Sequence, residues 1–257
     1  MSINKILNQE SAVDIDTKLL LHFDGTDGQT TTIDSTGNHI ITLKNTAQLD
    51  TDYKKFGSSS LLLDGNSDYV TVPDSDDWNI VNSNIDDWTI DFFIKFVSPT
   101  AQEYLVCQSE DGNNGWFLGH TVGSGLTFRV WRLGSSIVNT GVGGEITDSN
   151  WHHIALCKVA DEYATYLDGT QGNYDKASAG NAFSALLTIG CWGVGNALFN
   201  GHIDELRIQH ANILSASPNV GKTDTITVPT SSYNLSKISR FINISISDIL
   251  KIMNVTK

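Results

Sequence analysis

The sequence predicts an all-β sandwich. Three observations carry this. The best-patterned segments alternate apolar and polar residues with a period of two, they recur roughly every ten to fifteen residues, and Asp-Gly steps separate many of them. With 257 residues and 40 % apolar content, the chain is large enough to close a sizeable core.

Taken in order, residues 1–17 lack periodicity and read as an N-terminal arm. The sandwich is expected over 18–213. Its clearest strand is Trp88-Thr-Ile-Asp-Phe-Phe-Ile-Lys-Phe96, where Trp88, Ile90, Phe92, Ile94 and Phe96 share one face and Thr89, Asp91, Phe93 and Lys95 the other, more polar one. Leu126–Arg132 alternates likewise, with Leu126, Phe128 and Val130 opposite Thr127, Arg129 and Trp131. Ser60–Leu63, Tyr69–Val72, Tyr104–Cys107, His152–Val159, Tyr163–Leu167, Leu186–Gly190 and His202–Ile208 are further strands. Asp24-Gly25, Asp27-Gly28, Asp64-Gly65, Asp111-Gly112 and Asp168-Gly169 supply residues that tolerate the positive φ of tight turns. Residues 214–236, rich in Ser, Thr, Pro and Gly, read as a linker. Residues 237–257 read as a C-terminal β-rich tail that aligns Ile242, Ile244 and Ile246, or that starts a helix at Ser247.

The formal net charge is −13 and no Lys/Arg cluster occurs, which argues against nucleic acid as a partner. Cys107, Cys157 and Cys191 are an odd number without CxxC spacing, so buried free thiols made in a reducing cytoplasm are expected. The start has neither an apolar stretch nor a cleavage site, so no signal peptide is expected, and no run approaches a membrane span.

The ordered segments Leu19-Leu-Leu-His-Phe-Asp-Gly25, Asp34-Ser-Thr-Gly-Asn-His39, Lys55–Gly65, Asp68–Pro73, Trp88–Ile94, Asn150-Trp-His-His-Ile-Ala155, Tyr166–Gly169 and Phe199–Ile208 together resemble the concanavalin A-like lectin/glucanase superfamily, in its laminin G-like and pentraxin-like branch. The resemblance implies an antiparallel two-sheet jelly roll whose first and last strands, Leu19–Phe23 and Ile203–Ile208, lie side by side. The opening is also similar to that of modules in phage and viral structural proteins. That implies a non-catalytic structural or adhesion module on a virion or particle surface, with the termini mediating self-assembly or contact with other virion proteins. Alternatives are a stand-alone calcium-dependent carbohydrate-binding lectin and a cryptic glycoside hydrolase.

Two candidate sites follow. The resemblance implies a structural Ca²⁺ held by Asp24, Asn38 and Asp204, with Asp34 as a further ligand; Asp204 is expected on the same strand face as Leu206 and Ile208. A turn role for Asp24 and Asp34 is the simpler alternative. A ligand face is expected around Asn113, Trp116, Arg129, Trp131 and Trp192, since sugars stack on aromatic rings and hydrogen-bond to amides and guanidinium groups. An oligomer interface or plain packing would use the same residues. His152 and His153 alternate across a strand and cannot chelate one ion together. No string of alternating acids of the glycosidase kind occurs; Asp91 is alone on its strand, and Asp204 and Glu205 are consecutive.

Overall fold

The computed structural model describes residues 16–81, 87–97, 99, 102–177 and 182–235. The strands in chain order are β1 (Thr17–Leu21), β2 (Thr42–Lys44), β3 (Gln48–Asp50), β4 (Ser60–Asp64), β5 (Tyr69–Val72), β6 (Trp88–Phe96), β7 (Gln102–Asp111), β8 (Asn114–Thr121), β9 (Gly125–Arg132), β10 (Ser135–Asn139), β11 (His152–Val159), β12 (Glu162–Leu167), β13 (Thr170–Gln171), β14 (Asp175–Lys176), β15 (Leu187–Ile189) and β16 (Asn200–Gln209). Among the described residues the only helical element is a 3₁₀ turn, Asp76–Trp78, capped by Ser75 Oγ accepting from Asp77 N. No described helix is long and apolar enough to cross a membrane.

The strands form two antiparallel sheets. The nine-stranded sheet runs β13-β12-β11-β6-β16-β4-β3, with β1 also on β16 and β14 on β12. The seven-stranded sheet runs β10-β9-β8-β7-β15-β5-β2. The expected pairing of first and last strands is present: Leu19, Leu20 and Leu21 face Ile208, Arg207 and Leu206. Closing the sheet with the chain's own first strand removes an open edge from β16.

The core lies between the sheets. Trp88, Ile90, Phe92, Ile94 and Phe96 of β6 are fully buried there, opposite Leu126, Phe128 and Val130 of β9. The sheets touch through rings: Phe128 stacks on Tyr163 with centroids 5.9 Å apart, and Trp88 meets Phe128 edge-on at 5.9 Å.

The second face of β6 is also buried, contrary to its expected polarity. Phe93 is 1 % exposed and Asp91 0 %. The cover comes from Phe56, edge-on to Phe93 at 5.2 Å, and from the stretch read as a linker. Its described part lies against the outer face of the nine-stranded sheet, and residues 16–234 form one unit. Ala216 and Ile226 pack on Ala155, Cys157, Ala164 and Tyr166, Ile226 N donates to Gly169 O at 2.8 Å, and the Tyr166 hydroxyl donates to Asp224. Further along, the Tyr233 ring covers the Arg207 guanidinium at 4.1 Å. The expected arm is described only from Asp16, and the expected tail lies outside the described residues.

The three cysteines are free and buried, as expected. Burial raises the Cys107 and Cys157 thiols well above their ordinary range, which makes them poor nucleophiles.

Candidate functional site

Among the described residues the covering segment lies over the nine-stranded sheet, and the outer face of the seven-stranded sheet carries Arg129 and Trp131 of the predicted ligand residues. Its middle is built on β8. There Trp116 and Leu118 point inward, so Gly115, Phe117 and Gly119 form the outward row. The two glycines leave room on either side of Phe117. A Cβ at Gly115 would fall 2.4 Å from Gln108 O, and one at Gly119 would fall 3.0 Å from Glu103 O and 3.3 Å from the Phe117 ring.

Larger neighbours lean into that room. Tyr104, paired with Gly119, meets Phe117 edge-on at 4.7 Å. Trp131, paired with Gly115, lies 5.4 Å from the same ring. Trp192 arrives from the β15–β16 connection, 5.5 Å from Phe117, 5.3 Å from Tyr104 and 5.9 Å from Trp131. The two tryptophan planes stand at 89° and make a corner. Phe117 is only 1 % exposed beneath the others, whereas Tyr104, Trp131 and Trp192 are half-buried.

The Trp192 loop is held at several points. Trp192 N donates to Asn196 O at 2.8 Å, Gly190 N to Leu105 O at 2.9 Å and Tyr104 N to Ala197 O at 3.2 Å. Gly193 and Gly195, at φ 57° and 81°, supply the left-handed backbone that this tight loop needs. A loop fixed in this way has less entropy to lose on meeting a ligand.

Arg129, paired with Phe117 across β8–β9, completes the face. Its Nε donates to Asn139 Oδ1 at 3.1 Å on β10. The Tyr104 hydroxyl accepts from Gln102 at 3.1 Å. Burial pushes the pKa of that hydroxyl up, an effect the Arg129 charge partly opposes.

The structure therefore brings Arg129, Trp131 and Trp192 together, and adds Tyr104 and Phe117. Asn113 sits in the β7–β8 turn beyond the Trp131 end, its backbone N donating to Asp111 Oδ1 and its carbonyl accepting from Gly134 N. Trp116 does not belong to this face. It is fully buried, its indole N–H donating to Trp78 O at 3.1 Å and Gln108 Oε1 at 3.0 Å. The strand's parity puts it on the core side with Leu118.

Of the four residues expected to ligate calcium, Asp24 and Asp204 hold one loop, and Asp34 and Asn38 lie in the turn over 34–39. Asp34 is taken up by its own turn: Oδ1 accepts from Leu20 N and Thr36 N, and Oδ2 from Thr36 Oγ1, Asn38 N and His39 N. Asn38 is exposed. Asp204 is turned away from Leu206 and Ile208 by a β-bulge, with Glu205 at φ 53° and the register shifting between Asp204 and Arg207. Its Oδ2 accepts from Lys55 N at 2.7 Å and Phe56 N at 3.0 Å, while Asp24 Oδ1 accepts from Ser58 N and Oγ. The two carboxylates thus clamp one loop, 55–58. Among the described residues no group of three or more His, Cys, Asp or Glu side chains is arranged to hold a metal ion. Burial pushes the Asp204 carboxyl up to about 7. A cavity lined by His22, Phe23, Asp24, Thr32, Ile33 and Ser35 has a volume of about 100 Å³, well below the several hundred Å³ of ordinary ligand pockets.

His152 and His153 point to opposite faces, as expected. His152 lies between Asp148 and Asp168 at 3.0 and 2.7 Å, and His153 is buried 3.4 Å from Asp91.

A laminin G family model described as the concanavalin A-like lectin/glucanases superfamily matches residues 64–217. The chain belongs to that superfamily. Among solved structures, this superfamily domain is similar to domain 4 of an extracellular arabinanase of Geobacillus stearothermophilus in complex with arabinotriose, with 16 % identity, a TM-score of 0.57, and coverage of 82 % of this chain and 94 % of that one. It is also similar to the binding domain of botulinum neurotoxin DC, solved in complex with SialylT (18 % identity, TM-score 0.55) and with rat synaptotagmin II (16 %, 0.58). In both, the match covers 77 % of this chain and 49 % of the toxin domain, about half its length. At these identities the likeness shows a shared fold. No curated protein matches the sequence.

Proposed function

We propose that the chain is a non-catalytic carbohydrate-binding module that takes its ligand on the outer face of the seven-stranded sheet. One observation carries this reading: half-buried Trp131, Trp192 and Tyr104 gather over Phe117 on a glycine-flanked row, with Arg129 alongside. Aromatic planes suit the apolar faces of sugar rings, and the guanidinium and amide groups suit their hydroxyls. Two of the structural neighbours were solved with arabinotriose or SialylT bound, which supports a glycan ligand, although the toxin domain was also solved with rat synaptotagmin II. The setting proposed for the module is the surface of an assembled particle, following the similarity of Leu19–Gly25 to the opening of phage and viral structural modules.

The test is a glycan array followed by isothermal titration with the best binder. Trp131→Ala and Trp192→Ala are each expected to abolish retention while leaving the circular dichroism spectrum unchanged. Retention that survives both substitutions would place the ligand elsewhere. Release of reducing sugar would contradict the non-catalytic assignment, and a strict monomer in light scattering at physiological concentration would contradict the particle setting.

A further inference from the structure

We infer that the site selects carboxylate-bearing sugars, uronic or sialic acid residues, through Arg129; this rests on the proposed sugar face and names its ligand class. The chain carries 29 acidic residues against 16 basic ones, so cations on it are expected to find partners readily. Among the described residues, no carboxylate lies within ion-pair distance of Arg129. Acids on the strands and turns around that face have other partners. Asp175 accepts from Asn139 N at 2.7 Å and Lys176 N at 2.8 Å. At the hairpin, Asp111 accepts from Asn113 N and the Asn114 amide, and Glu110 accepts from Ser184 N.

Arg129 is also fixed in orientation. Asn139 Oδ1 holds its Nε at 3.1 Å, and that oxygen is itself held by Gly141 N at 3.1 Å. An arginine tethered through Nε keeps its two terminal nitrogens as a planar fork, the geometry that matches a carboxylate with two parallel hydrogen bonds. It stands opposite Phe117, beside the corner formed by Trp131 and Trp192. A pyranose stacked in that corner would place a ring carboxylate within the reach of the guanidinium. The overall negative charge does not forbid this. At physiological ionic strength fields decay over about 8 Å, so the local cation decides.

The experiment uses matched pairs that differ only in charge: sialyllactose against lactose, and an oligogalacturonate against its methyl ester, titrated into wild type, Arg129→Gln, Arg129→Lys and Trp131→Ala. Wild type is expected to favour the acidic member of at least one pair by roughly tenfold or more, the size of a charge-assisted bidentate contact. Arg129→Gln should bring that pair to within about twofold by weakening the acidic member alone, since a uniform loss would mark a structural role. Arg129→Lys should keep part of the preference, because a point charge remains without the fork. Equal binding of acidic and neutral members by wild type, with both lost in Trp131→Ala, overturns acid selection and leaves the sugar face standing. Equal weakening of both members in Arg129→Gln overturns it too. Binding of no saccharide at all overturns both readings.

Discussion

Asp91→Ala is expected to be among the most destabilising single substitutions in the molecule. Asp91 is 0 % exposed on the outer face of β6. Its Oδ1 accepts from Arg207 Nε and its Oδ2 from Arg207 Nη2, both at 2.9 Å, with His153 Nε2 3.4 Å away. Tyr233, from the covering segment, lies over the guanidinium and shuts out solvent. Truncating Asp91 leaves a buried cation without its carboxylate, a loss of about 3–5 kcal/mol. For a domain of this size that lowers Tm by about 6–20 °C. The companion variant, Asp91→Leu with Arg207→Met, removes both charges and should recover most of the loss.

The pH dependence has a defined sign. Burial alone would raise the Asp91 carboxyl, yet Arg207 and His153 hold it below its usual value. A depressed folded-state value means the pair contributes fully above the unfolded carboxylate value, near 4, and loses its contribution as pH falls through the folded one. The gap between wild type and Asp91→Ala should therefore narrow in acid. Differential scanning calorimetry at pH 7 and at stepped acidic pH measures both effects. A loss below about 1 kcal/mol at pH 7, or a double variant no better than the single one, would refute the argument.

Three further outcomes are expected. Trp116→Ala should lose about 3–5 kcal/mol in urea unfolding, as a fully buried aromatic does, whereas Trp131→Ala, half-exposed, should lose far less; similar losses would mean that the strand's faces are misassigned. Glu103 is 3 % exposed and burial pushes its carboxyl up to about 7, so its stability contribution falls as pH rises from the unfolded value near 4.3 through 7. Glu103→Gln should flatten that part of the thermal stability profile and be the more stable protein at pH 8, by up to about 3 kcal/mol. Millimolar calcium or EDTA should leave Tm unmoved; a calcium-dependent rise that Asp204→Ala removes would restore the expected ligand set around that carboxylate.

Much of the fold was legible because β6 and β9 place an apolar residue at every second position, the period of a strand. The hidden parts have physical reasons. Strand β8 reads Asn-Gly-Trp-Phe-Leu-Gly-His-Thr, where Gly115, Phe117 and Gly119 fill the central outward places, so no polar residue marks the outer side before Thr121 at the strand's end. Without that marker, Trp116 and Trp131 look equivalent as ring donors. The outward place of Asp204 has no sequence signal, because the bulge at Glu205 changes parity without a glycine to mark it. The covering segment has no sequence pattern because it buries only scattered residues, Ala216, Pro218, Ile226 and Tyr233, with no period. A signal was nonetheless present on the partner side. Phe93 on the supposedly polar face of β6, and Ala155, Cys157, Ala164 and Tyr166 on the same side of β11 and β12, form an apolar stripe that water would not be left to cover.

The place of β16 has a consequence for biogenesis. It is flanked by β6 along one side and by β4 and β1 along the other, so a strand made at the end of the sandwich is the keystone between strands made early. Leu21 waits for Leu206, 185 positions later. At ribosomal speeds of about 5–20 residues per second that delay is roughly 10–40 s. Until then, the nascent nine-stranded sheet has an apolar slot at its centre, and it is during this interval that the chain has most need of a chaperone.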